Sequence, residues 1–190
     1  MTQNAPTRIL DGVVLPAPGI WKIDPSHAEV AFVGRHFMLT KVRGRFTKVD
    51  GEVHIADRPE DSSVSVKIEM ASVYSGFEMR DDHLRSPNFF DVERYPWATF
   101  TSTDISWAGS GGQMTGDLTI NDVTRPITLE ISYLGHARDP RGNDRVGFEA
   151  HAHINREDWG ITWNQLLESG GMMISKEIDL EVNLEITRAT

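Results

Sequence analysis

The stretch MRDDHLRSPNFFD, residues 79–91, crowds Arg80, Asp81, Asp82, His83, Arg85 and Asp91 against Phe89 and Phe90. By residue type, His83 with Asp81 or Asp82 makes a general acid–base pair, and Arg80 makes an oxyanion clamp. The same residues fit two other accounts. One is a salt-bridged surface loop pinning two core phenylalanines, and the other is the rim of an apolar site. Exposed ion pairs contribute only about 0–1 kcal/mol each, so stability alone is a weak reason for so dense a cluster.

Metal chemistry has fewer arguments. Zinc asks for three or four His, Cys or carboxylate ligands in a tight geometry. His27 and His36, with His83 as a third arm, match no short ligand spacing, and along a strand the first two sit far apart on opposite faces. His27 reads as a turn residue after Asp24-Pro25-Ser26, and His36 as a hydrogen-bonding group near the end of a strand. His151 and His153 share the i, i+2 spacing that grips metals, but they alternate with Phe148 and Ile154 and so point outward. They fit a solvated face or the contact of a symmetric homodimer. With no cysteine in the chain, disulfides, thiolate catalysis and Cys-ligated metals are excluded. Nothing forms a nucleophile elbow, a phosphate-cradling glycine loop or a HExxH motif. No metal and no cofactor is expected, and enzymatic use of the His83/Asp81/Arg80 cluster on a lipid-like substrate stands as the alternative to binding.

The elements that must position these residues are strands. From Trp21 onward the dominant hydrophobic period is two. In residues 174–187, Ile178, Leu180, Val182, Leu184 and Ile186 alternate with Glu177, Asp179, Glu181, Asn183 and Glu185. The same alternation runs through Val64–Met70, Ile127–Tyr133 and Val146–Ile154. Turn signals at 108–112, 121–126 and 138–144 separate the runs. The pattern predicts eight strands, near 21–38, 42–56, 63–74, 97–107, 113–121, 126–137, 145–156 and 173–188. Two connections are longer. Residues 75–96 carry a short helical pattern ended by Ser86-Pro87, and residues 156–171 predict a helical turn near Asn164–Glu168 ended by Gly170-Gly171.

Eight mostly antiparallel strands with one apolar face suggest closure into a barrel or a sandwich. An eight-stranded barrel is either just filled by side chains or holds one small ligand, and the pattern leaves that choice open. A length of 190 residues is enough for one domain. The net charge of −9 disfavours nucleic acid and anionic membrane surfaces as partners. No stretch reaches the ~18 uninterrupted apolar residues of a span, so stable membrane insertion is not expected. Residues 1–19 lack the basic and apolar regions of a secretory signal. They read as an extended arm ahead of a single domain, 20–190, in a chain expected to be cytoplasmic.

The motifs WKIDPSHAEVAFVGRH (21–36), GRFTKVDGEV (44–53), RDDHLRSPNFFDVERYPWATFTS (80–102), GDLTINDVTRPITLEI (116–131), INREDWGI (154–161) and ISKEIDLEVNLEI (174–186) follow one another in an order that resembles the YceI-like family. The resemblance covers nearly the whole chain from Trp21. It implies an all-β fold, an eight-stranded antiparallel lipocalin-like barrel with one or two short helices in the longer connections. It also implies a ligand, a long-chain isoprenoid, isoprenoid quinone or similar lipid, with its tail in the barrel and its head near the mouth. Two positions depart from the family's habit, Ala28 where Ser often follows the first-motif His, and Trp159 where Phe is more usual.

On that frame the inward faces supply a candidate lining: Val30, Phe32, Phe46, Val66, Ile68 and Phe100, then Leu118, Ile120, Leu129 and Ile131, then Phe148, Ile154, Ile161 and Leu180. The connection 75–96 would edge the mouth, its movement admitting or releasing ligand. Leu84, Phe89 and Phe90 would line the apolar path there, and His36, Arg80 and His83 would stand near the ligand head.

Overall fold

A computed structural model describes residues 6–168 and 170–188. Twelve strands are present: β1 (Thr7–Leu10), β2 (Val13–Pro16), β3 (Gly19–His36), β4 (Thr40–Phe46), β5 (Val49–Ile55), β6 (Ser63–Glu69), β7 (Val73–Tyr74), β8 (Trp97–Ala108), β9 (Gly111–Ile120), β10 (Val123–Arg138), β11 (Asp144–Asn155) and β12 (Glu177–Arg188). One α-helix, α1 (Glu78–Arg85), sits in the connection 75–96.

Ten of these strands make a closed eight-stranded antiparallel barrel, because β4–β5 and β6–β7 are each one interrupted barrel strand. Residue β3 Trp21 pairs with β5 Val53, and further along Phe32 pairs with β4 Gly44. The break at Thr47-Lys48 faces the 3₁₀ turn Met70–Ser72. There the Ser72 hydroxyl accepts from the Thr47 and Lys48 amides at 3.2 and 3.1 Å. Amides lost from the ladder are thereby satisfied, and the strand pair can bend without leaving buried donors unpaired. Pairing of β12 with β3 closes the ring, and beside the two-residue β7 the Val73 carbonyl is capped by Arg85 at 2.9 Å.

Strand termini define two ends. At one end the β1–β2 hairpin lies across the opening, held by Arg8, which donates to the Ala56 carbonyl at 2.8 Å and to that of Asp57. Leu15 and Ala17 bury there, and Trp21, fully buried, donates its indole N–H to the Ala17 carbonyl at 3.1 Å. At the other end lie the β3–β4 turn, α1 and the connection 156–176.

Two expectations need correction. The strand expected to reach residue 38 stops at His36, and Phe37–Leu39 form the turn. No helical turn forms at 164–168. The Asn164 side chain instead donates to the Ile174 carbonyl at 2.7 Å and accepts from the Ile174 amide at 3.1 Å. A side chain that imitates a strand neighbour in this way ties the segment to residues 172–174 and competes with local helix formation. The helical geometry in this connection is a 3₁₀ turn, Arg156–Trp159, ended by Gly160 at φ +74°.

Candidate functional site: two apolar chambers in the barrel

Inward side chains in a filled barrel lose nearly all contact with solvent-sized space. Here Val30, Phe32, Val66, Leu180, Val182 and Leu184 are inward yet only half-buried, because they face hollow space. An outer chamber of about 600 Å³ reaches the surface beside α1, and an inner one of about 180 Å³ lies beneath the β1–β2 hairpin. Val30, Ile68, Leu118 and Leu180, from four different strands, line both and form a waist between them. The outer volume lies within the usual range of small-molecule sites. The inner one alone is comparable to a cavity that holds a benzene-sized group.

Every lining candidate from the sequence faces one of these spaces. Phe32, Phe46, Ile120, Ile154 and Ile161 belong to the outer chamber, as do His36, Arg80, His83, Leu84, Phe89 and Phe90. Val66, Phe100, Leu129, Ile131 and Phe148 belong to the inner chamber. Two glycines make room for the largest rings. A Cβ on Gly44 would stand 2.3 Å from the Phe32 ring, and one on Gly116 would stand 2.4 Å from the Phe100 ring. Each ring therefore lies flat over a neighbouring strand instead of projecting across the lumen.

The cluster at 79–91 resolves differently from any single sequence account. Phe89 and Phe90 are buried and also line the outer chamber. The charges mostly serve local backbone. Asp81, buried, accepts from the Ser75 amide at 2.8 Å and from the Ser75 hydroxyl. Arg80 donates to the Ser75 hydroxyl and carbonyl at 2.7 and 2.9 Å. Arg85 pairs with Asp82 at 3.0 Å and clamps the Ala71 and Val73 carbonyls at 3.0 and 2.9 Å. His83 Nε2 accepts from the Asn88 side-chain Nδ2 at 3.1 Å, and its ring packs edge-on against Phe89 and Trp163. No carboxylate described here hydrogen-bonds His83. The acid–base pair considered from the sequence is thus not assembled.

Sequence reasoning missed three contributors. Trp163 stacks beside His83 and Phe89, at 4.5 and 5.4 Å between ring centres. Trp159 is buried in the wall of the outer chamber, in one apolar cluster with Phe100 and Met114, and donates to the Leu118 carbonyl at 3.0 Å. Arg156 is a buried cation at the chamber wall, donating to the Ser175 and Ile161 carbonyls at 3.0 and 2.7 Å, with Nη2 unpartnered. Burial pushes its pKa below the ordinary arginine value. The only visible signal was a charged residue embedded in the apolar-aromatic motif INREDWGI.

The remaining histidines lie outside the chambers, His36 excepted. Asp24, His27 and Glu185 converge at the hairpin end, but Arg145 already donates to Asp24 and Glu185 there, so a cation fills that cluster. His153 faces outward, paired with Asp179 and Glu177 at 2.8 and 3.1 Å.

The turn at the mouth is unusual. Phe37 and Met38 adopt φ of +51° and +58°, closed by Leu39 N–H donating to the His36 carbonyl at 2.9 Å. The β9–β10 turn has the same φ signs, but its residues are Asn121 and Asp122, which tolerate them. For a bulky residue the left-handed region costs roughly 1–2 kcal/mol.

A profile of the YceI-like domain matches residues 21–186. This chain belongs to the YceI-like family. Protein YceI of Escherichia coli O157:H7 is 38% identical over 168 residues, 87% of this chain and 85% of the relative. Among solved structures, BcnA of Burkholderia cenocepacia superposes with a TM-score of 0.75 at 23% identity, covering 88% of this chain and 99% of BcnA. A domain from Saccharophagus degradans described as polyisoprenoid-binding gives 0.64 at 17% identity, over 89% and 98% of the two chains. At those identities the two structures speak for the fold, and the fold of this YceI-like chain is theirs.

Proposed function

We propose that this YceI-like protein binds a long apolar molecule, an isoprenoid or isoprenoid quinone, and holds it inside the barrel for storage or carriage. The observation that carries the reading is the hollow apolar interior: a surface-reaching chamber of about 600 Å³ and a second of about 180 Å³ that share the four side chains of the waist. The Saccharophagus degradans neighbour described as polyisoprenoid-binding supports the ligand class.

The mechanism is solvation. Burying a methylene is worth about 0.8 kcal/mol, so ten buried carbons supply roughly 8 kcal/mol before association and ordering costs. No directional chemistry is required of the Phe, Ile, Leu and Val walls. Ligand passes beside the first turn of α1, whose displacement opens the outer chamber. His83 acts in this reading as a wall group, so His83→Ala leaves ligand retention nearly intact.

Organic extraction of the purified protein followed by mass spectrometry tests the proposal. A polyprenyl species in stoichiometric amount is the expected result, and Phe32→Asp should lose it by placing a carboxylate in the outer chamber. An empty extract from folded wild-type protein, or full retention by folded Phe32→Asp, would overturn the assignment.

A further inference from the structure

A carrier of apolar molecules has to meet its ligand where that ligand dissolves. Twelve large apolar side chains are exposed among the described residues, and six of them stand around the outer chamber's mouth: Phe37, Met38, Leu39, Phe77, Met79 and Leu166. Leu39, Met79 and Leu166 are more than 70% exposed. Their proximity follows from the hydrogen bonding. Phe37 N–H donates to the Met173 carbonyl at 2.8 Å, and Leu166 bridges Met172, which shares a groove with Met38. Phe77 and Met79 line the same chamber as His36 and Met173.

This crown is kept despite two costs. Exposed apolar area is unfavourable in water, and Phe37-Met38 occupy a turn conformation suited to Asn, Asp or Gly. Strain held at a rim marks a functional position. Arg35 and Lys41 flank the turn and make no ion pair among the described residues, while Glu177 and Asp179 in the same groove are taken up by His153. Glu78 stands exposed between Phe77 and Met79, so the local excess of positive charge lies at the Phe37–Leu39 turn, against the chain's net charge of −9.

We infer that the crown docks reversibly on a lipid bilayer surface, seating the mouth in the interfacial region so that ligand moves between membrane and chamber without crossing water. The turn Phe37–Leu39 is the deepest element, and Arg35 and Lys41 lie at the level of the phosphates. The inference rests on the ligand-binding reading above, but its test is separate. A surface-lying contact of this kind needs no spanning segment, and no helix among the described residues is long and apolar enough to cross a membrane.

The test is flotation of the purified full chain with vesicles of phosphatidylethanolamine and phosphatidylglycerol, comparing wild type with Phe37→Asn/Met38→Gly. The double variant supplies the residues the turn prefers, so it should melt a few degrees higher than wild type and keep its extractable ligand. Its vesicle partitioning should fall at least about tenfold, as expected for withdrawing one large apolar side chain from a buried position. Arg35→Gln/Lys41→Gln should weaken partitioning only on vesicles containing phosphatidylglycerol.

Equal flotation of the double variant and wild type, or no flotation of wild type, would overturn the proposal. So would a vesicle-free dimer, seen by sedimentation velocity, that the double variant dissolves, because the crown would then cover a second copy. Vesicle docking by a protein that yields no apolar ligand would instead remove the ligand-binding reading and leave docking standing.

Discussion

The two ends of the barrel are built on opposite terms. The hairpin end is covered by β1–β2, sealed by a fully buried Trp21 and Ile186, and laced by Arg145, whose guanidinium bridges Asp24, Asp139 and Glu185. The mouth end exposes large apolar side chains, holds Phe37 and Met38 at positive φ, and keeps a cation, Arg156, in its wall. The hairpin end ties its charges to one another and exposes Ile9, Val14 and Ile20 singly, whereas the mouth end gathers six exposed apolar side chains around an opening where a ligand or a surface can meet them. Stability and access are thus segregated along one axis.

Truncating one aromatic ring at each end sharpens that contrast most. Trp21→Ala removes a ring with no exposed surface and its hydrogen bond to Ala17, and should cost about 3–5 kcal/mol. Phe77→Ala, at a ring more than half exposed, should change stability by no more than about 0.5 kcal/mol. Urea unfolding of both variants checks this, and comparable losses would erase the distinction between the ends.

The next effect separates the ends by pH. Arg145, hydrogen-bonded first by Asp24, holds that carboxyl far below its usual range, and Asp139, bonded chiefly by Asn143, is held at about 2. A carboxylate whose folded pKa is depressed stabilises the fold above its unfolded pKa, near 3.8, and that contribution disappears as pH falls through the folded value. Stability should therefore drop between pH 3.8 and about 2, led by the hairpin end. Arg145→Met should lower stability near neutrality and flatten this acid limb. An unchanged limb, followed by circular dichroism during acid titration, would show that the network contributes nothing there.

The strands were legible because one-sided burial stamps a period of two on the sequence, and every strand run from Trp21 onward carries it. Barrel closure, as against a sandwich, came through the resemblance to the YceI-like family. The lining was legible for the same reason as the strands, since inward positions are set by parity. Three features were not. The turn at Phe37–Leu39 has none of the Gly, Asn, Asp or Pro that mark turns, so the strand reads two residues too far, into Phe37 and Met38. Asn164 and Arg156 act through backbone carbonyls distant in sequence, which no local pattern records. The waist depends on the relative sizes of Val30, Ile68, Leu118 and Leu180 on four strands, a property of their meeting rather than of any one of them.

Between the ends, the waist sets how far a ligand can travel, and Trp159 stands beside it, bonded to the backbone of the waist residue Leu118. It lines the outer chamber, belongs to the same buried cluster as Phe100 and Met114, and is fixed by its bond to the Leu118 carbonyl at 3.0 Å. Phe at this position would have a smaller ring and no N–H. Trp159→Phe should cost about 0.5–1.5 kcal/mol for the lost hydrogen bond, with a small added cavity cost that a ligand can offset. The space freed lies between the chambers, so the variant should retain longer apolar chains than wild type when both are offered a mixed polyprenyl series. Chain-length profiles from extracted protein decide the matter. An unshifted profile with the expected fall in stability would make Trp159 a packing residue, and the two chambers would then be separated by the four waist side chains alone.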